Sequence, residues 1–202
     1  MPDPSDSRRF AARRSGASSW LRIDTIEDGG DWSLLGRTGD LVAAAGAALA
    51  RHDRFRKSEA AEACVALSDD ATAQRLNARY RGKDTATNVL SFPSGGFRGG
   101  QVGAARMLGD VVLAQETALR EAAEQNIPPA HHLQHLVVHG LLHLLGLNHD
   151  RDEEAREMEA LEVEILATLG IPDPYAAEIC SGEPARAAAR GARAKTRMAA
   201  DL

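Results

Sequence analysis

Cysteine is scarce in this chain: Cys64 and Cys180 are the only two among 202 residues, and they lie far apart. Two such residues make no disulfide framework and suit a reducing cytosol, so a cytoplasmic protein is expected. Long apolar runs are missing as well. No stretch approaches the ~20 residues that span a bilayer, and no membrane partner is expected. The first residues, MPDPSDSRRFAARRSG, carry basic side chains but no apolar h-region, so no secretory signal is read there. The glycine-rich stretch from Ser94 to Gly103 lacks the lysine and spacing of a P-loop, and reads as a loop and not as a phosphate cradle. No internal repeat is present.

What the chain does have is an ordinary apolar fraction of 44% and a length that suits one domain with a sizeable core, although it would also allow two small ones. Its charge is unevenly placed. Residues 1–17 set Arg8, Arg9, Arg13 and Arg14 against Asp3 and Asp6, a net +2. Residues 179–202 set Arg186, Arg190, Arg193, Lys195 and Arg197 against Glu183 and Asp201, a net +3. Because the whole chain is −5, residues 18–178 are left with −10. Ala/Arg-rich ends without large apolar side chains cannot bury enough surface to order themselves. Disordered basic tails at 1–17 and 179–202 are therefore expected around one folded domain at 18–178. The tails are either electrostatic arms for a polyanion or solvated, dispensable termini.

Within that domain, strands and helices alternate with short connections. Leu21 and Ile23 alternate with Arg22 and Asp24, which predicts a half-buried strand. Asp40 is placed to cap a helix carrying Leu41, Ala44, Ala45, Ala48 and Leu49. Ala63 to Leu67 is a short apolar strand, and Ser68-Asp69-Asp70 opens a helix that sets Leu76 and Tyr80 one turn apart before stopping near Gly82. Thr87 to Phe92 and Met107 to Leu113 predict two more strands. Three helices follow, at about Gln115 to Glu124, Ala130 to Leu145 and Asp152 to Leu169. The expected fold class is α+β: a single domain with a small mixed four-stranded sheet packed with about five helices.

The most informative run is His139-Gly140-Leu141-Leu142-His143-Leu144-Leu145-Gly146-Leu147-Asn148-His149. Residues four apart share a helix face, so His139 and His143 can aim two imidazoles at one point. Gly146 allows the reversal that returns His149 as a third. Three imidazoles with one open position suit a catalytic zinc, one per chain, on a C-terminal helix and the following turn. The spacing repeats the metzincin peptidase signature, H-E-x-x-H-x-x-G-x-x-H, with Gly140 in place of the glutamate that serves as general base. His135, one turn before His139, makes an alternative pair with it, but no glycine turn then returns a third ligand. His131, His132 and His135 are read as residues behind the ligands, RNA-facing residues or surface residues. Asp150 is a conceivable proton acceptor, though it more simply orients a ligand or ends the turn.

Four separated segments carry a family resemblance. Leu76-Asn77-Ala78-Arg79-Tyr80-Arg81-Gly82-Lys83-Asp84, Thr87-Asn88-Val89-Leu90-Ser91-Phe92-Pro93, Leu108-Gly109-Asp110 and the histidine run through Asp150 resemble the bacterial YbeY family of endoribonucleases and rRNA maturation factors. The similarity continues through Glu157 to Glu162 and into Asp173-Pro174-Tyr175, and covers roughly residues 18–178. It implies a zinc-dependent, single-strand-directed endoribonuclease acting in the cytoplasm in 16S rRNA 3′-end maturation and ribosome quality control. Its implied partners are rRNA, the small ribosomal subunit and assembly factors, with no DNA. The implied metal ligands are His139, His143 and His149, and the implied catalytic residues are Arg81 and His139.

The chemistry is consistent with that implication. Zinc lowers the pKa of water to about 7 and polarises a phosphoryl oxygen, so no side-chain base is required. Arg81 offers a planar fork for phosphate charge; read without the resemblance, it is a surface cation at a helix end. Lys83 is read as solvated. Two other functions stay open: a non-catalytic ribosome-assembly factor with a structural zinc, and an atypical metallopeptidase, which Gly140 disfavours. The acidic domain argues against broad RNA affinity, so binding should depend on a local basic patch, the tails or a ribosomal partner.

Overall fold

The computed structural model of the chain describes residues 20–95 and 105–176. Strand β1 (Leu21–Glu27) buries Leu21 and Ile23 as its alternation predicts, and the chain then passes through a 3-10 turn at Trp32–Leu35 into helix α1 (Thr38–Arg51). Asp40 is not the cap of α1. Arg37 holds the cap position, Thr38 Oγ1 is drawn away to the Trp32 carbonyl at 2.9 Å, and Asp40 sits in the first turn, 2.6 Å from the Arg37 guanidinium. A carboxylate there still complements the helix dipole.

Strand β2 (Ala61–Ser68) leads into helix α2 (Asp70–Arg81). Asp69 is its cap, accepting from the Thr72 N–H at 2.7 Å, and those Thr72 bonds hold the Asp69 carboxyl below the usual range. Gly82 closes the helix in the left-handed conformation. Strands β3 (Val89–Pro93) and β4 (Arg106–Ala114) follow, then helices α3 (Gln115–Glu124), α4 (Pro129–Leu144) and α5 (Asp152–Ala167). The strand order is β1-β2-β4-β3; β1, β2 and β4 run parallel, and β3 lies antiparallel on the edge beside β4. Among the described residues this is the α+β, four-stranded mixed sheet with five α-helices that the sequence predicts.

The two sheet faces are covered unequally. One carries the main core, where Val65, Val111 and Leu113 meet Val42 and Leu49 of α1, Leu136 and Leu141 of α4, and Met158 and Ile165 of α5. The other carries a thin cluster of Ala66, Leu90 and Val112, with Leu76 of α2 and Phe92 against it. The expected basic tails and most of the glycine-rich stretch lie outside the described residues.

Candidate metal centre

Helix α4 is built to be enclosed. Pro129 stands in its first turn, and every residue from His132 to Leu144 is buried, so apolar side chains surround the polar ones. Gly140 is what lets this helix lie on the sheet. A Cβ there would stand 2.6 Å from Val111 Cγ1 and 3.3 Å from Ser91 Oγ. The place of the peptidase's glutamate therefore faces packed strand and not an open cleft.

At its far end, α4 closes on Gly146, whose φ of 91° only glycine adopts readily. The Leu147 N–H bonds to the Leu142 carbonyl and the Gly146 N–H to the His143 carbonyl, the paired bonds of a Schellman turn. That reversal brings buried His149 against the helix, its ring centroid 5.6 Å from that of His139 and 5.0 Å from that of His143. Each of the three histidines offers a ring nitrogen, and these atoms all lie within 4.8 Å of one another. The group can hold a metal ion.

Two of the imidazoles are oriented by their second nitrogens. His139 Nδ1 donates to Glu162 Oε1 at 2.7 Å, and His143 Nδ1 donates to the Leu147 carbonyl at 2.9 Å. Both Nε2 atoms are thereby left as acceptors, and they face each other at 3.0 Å. Two acceptors do not bond each other, but they can share a cation. Burial, with the nearby His139 and His149 imidazoles opposing a further positive charge, pushes the His143 pKa down to about 3, so its ring is neutral, as a metal ligand must be.

Glu162, only 1% exposed, stands behind the group. Burial pushes its carboxyl up, but the electrostatic interaction with the His139 imidazole and hydrogen bonds from His135 and His139 outweigh this and hold it well below the usual range. Its Oε2 accepts from His135 Nε2 at 2.9 Å and from the Tyr175 hydroxyl, whose own pKa burial and Glu162 drive up. His135 thus belongs to the support of His139 and forms no ligand pair with it. His132 is likewise buried, against Glu121 at 3.0 Å, and Glu121 also accepts from Asn88 Nδ2 at 2.8 Å. Neither histidine is a surface residue; His131 is half-buried and Asp150 exposed. Glu162 is the functional residue that spacing alone did not reveal. A signal existed: it interrupts the buried stripe of α5 formed by Ala155, Met158, Leu161 and Ile165.

Arg81, at the end of α2, is half-buried and not a solvated helix-end charge. Its Nη2 donates to the Ser91 carbonyl at 3.1 Å on edge strand β3. The Ser91 hydroxyl in turn donates to the Gly140 carbonyl at 3.3 Å, beside His139. Lys83 is exposed.

Fold and site together define a class: α+β proteins in which one helix and the turn after it gather three buried histidines able to hold a metal ion. A family model described as Endoribonuclease YbeY matches residues 38–170. An Endoribonuclease YbeY of Parvibaculum lavamentivorans is 46% identical over 183 residues, covering 87% of this chain and 96% of that one. Another, of Azorhizobium caulinodans, is 48% identical over 157 residues, covering 77% and 97%. The chain belongs to the YbeY endoribonuclease family. The solution structure of TM1509 from Thermotoga maritima is similar at a TM-score of 0.46 and 21% identity, over 74% of this chain and 91% of that one.

Proposed function

We propose that this protein is a zinc-dependent, single-strand-directed endoribonuclease that acts in the cytoplasm in 16S rRNA 3′-end maturation and ribosome quality control. Its partners on this reading are rRNA, the small ribosomal subunit and assembly factors. One observation carries the metal half of the reading: three buried imidazoles converge, two of them with Nδ1 engaged and Nε2 turned inward. Nitrogens bound ~2.05 Å from a tetrahedral zinc lie about 3.3 Å apart, near the 3.0 Å separating Nε2 of His139 and His143. Among the described residues the group consists of three histidines, the donor set of a catalytic zinc that keeps one position open.

Zinc in this site would supply Lewis-acid polarisation of a phosphodiester and activation of water near neutral pH. The remaining work falls to the chain. Glu162 and the Leu147 carbonyl hold His139 and His143 in the tautomer that directs Nε2 inward. Arg81, held on β3 by the Ser91 carbonyl, is on this reading the planar cation for the charge that develops on the phosphoryl oxygens, and His139 is the other catalytic residue. Gly140 supplies no base, and a reaction assisted by metal and arginine needs none from that position.

The test is elemental analysis joined to cleavage of single-stranded RNA and of an rRNA precursor, for the wild type and His143→Ala. The wild type should carry about one zinc per chain and cut RNA, and the variant should lose both. Full zinc retention by His143→Ala would show that the ligand set is wrong.

A further inference from the structure

Tyr80 is among the few large apolar side chains of the described residues exposed to solvent, at 59%, yet it is not loosely held. Phe92 packs against it at 5.3 Å between ring centroids with the rings 67° apart, and the Arg79 guanidinium lies over it, 5.3 Å from its centroid. Tyr80 and its neighbour Arg81 both dock on β3, one on the Phe92 ring and the other on the adjacent Ser91 carbonyl. An exposed aromatic face with an arginine across it, one residue from a proposed phosphate contact, is the chemistry that captures an unpaired base.

Charge and shape continue from there. In a domain of net −10, the later part of α2 and the turn after it collect Arg75, Arg79, Arg81 and Lys83. The acids at the helix start are engaged: Asp69 caps the helix, and Asp70 accepts from the Thr117 N–H at 2.9 Å. Along another face of α2 runs an open groove of about 630 Å³ lined by Ala71, Gln74, Arg75, Ala78, Arg79 and Asp84, and Arg79 is the side chain that the groove and the Tyr80 ring share. Its one acid, Asp84, accepts from Gln74 Nε2 at 2.9 Å.

We propose that Tyr80, with Arg79 over it, is a stacking platform for an unpaired nucleobase of single-stranded RNA, and that the groove along α2 receives the flanking phosphates on Arg75 and Arg79. This rests on the endoribonuclease reading and extends it. It makes selection for single strands a property of α2, because a base held in a duplex cannot turn its face to the tyrosine.

The experiment uses the full-length, zinc-loaded protein and a short single-stranded RNA carrying 2-aminopurine, whose fluorescence falls when it stacks. Wild type and Tyr80→Phe should quench the probe and bind alike. Tyr80→Leu, which keeps the packing on Phe92 but lacks a π face, should lose quenching and bind roughly five- to hundred-fold more weakly at unchanged zinc content. Arg75→Ala should reduce the slope of log affinity against log salt by about one. Quenching and affinity of Tyr80→Leu equal to wild type, in a protein that still cuts RNA, would overturn the platform alone. An unchanged salt slope for Arg75→Ala would remove the groove. A zinc-loaded wild type that neither binds nor cuts the RNA would instead overturn the endoribonuclease reading, and the platform with it.

Discussion

Helices α4 and α2 reach the same edge strand from opposite faces of the sheet, and they differ in nearly every other respect. α4 is buried on all sides and touches β3 through a glycine, with the Gly140 carbonyl on the Ser91 hydroxyl. α2 buries only Ala73 and Asn77 and touches β3 through its longest side chains, Arg81 on the Ser91 carbonyl and Tyr80 on Phe92. On the proposed reading the difference separates two tasks. Holding an ion requires donors that cannot wander, which close packing supplies. Meeting a long, flexible polyanion requires cations and rings that solvent can reach.

The hardest test of that contrast is Gly140→Glu, which writes the peptidase signature into α4. Val111 is β-branched and fully buried and cannot yield, so the carboxylate would be forced into packed core without a partner. A loss of at least about 3 kcal/mol is expected, read as a collapse of the thermal transition, with no peptidase activity gained. A stably folded Gly140→Glu protein would show α4 to be less enclosed than its contacts indicate.

On the α2 side, Arg81→Glu should lower single-turnover RNA cleavage about a hundred-fold at equal zinc occupancy, on the order of 3 kcal/mol. Arg81→Lys should recover only part, because an ammonium keeps the charge and loses the fork. Since Arg81 is half-buried and bonded to Ser91, the Glu form should also lose about 1 kcal/mol of stability. Equal rates for all three proteins would return Arg81 to a packing role. Returning to α4, Glu162→Gln keeps the shape but removes the charge facing His135 and His139, and should weaken zinc binding roughly ten- to hundred-fold in a chelator competition. Unaltered affinity would mean that burial alone orients the ligands. The smallest effect is expected from Asp69→Ala, about 1 kcal/mol in denaturant unfolding from loss of the α2 cap, with zinc content unchanged. A loss of zinc there would join the two helices into one unit.

The same contrast explains what could be read before folding. The three-histidine cluster is legible because its geometry is local: a four-residue step on α4 and the glycine turn after it bring His139, His143 and His149 together. Element limits were legible where a side chain or a glycine marks them, as Asp69 and Gly82 do for α2. At α1, Asp40 misled, because Thr38 turned to the distant Trp32 carbonyl and left the cap position to Arg37. Partners brought from elsewhere in the chain were not legible. His135 and His132 find their carboxylates on α5 and α3, and nothing in the spacing of α4 names Glu162 or Glu121. The docking of α2 on β3 was equally hidden, since it requires knowing that β3 is an edge with a carbonyl left for Arg81.

The Gly146 turn has a kinetic consequence. His139 and His143 are fixed by a helix that opens only when the core does, whereas His149 hangs on a short, partly exposed segment just beyond the helix. Fraying that segment would withdraw His149 from the group and, through Leu147, free the ring of His143, without disturbing the sheet. On the proposed zinc reading, the residence time of the ion would follow the breathing of one turn and not the lifetime of the native state, and a change at Gly146 would alter how fast metal is exchanged before it alters how tightly the protein is folded.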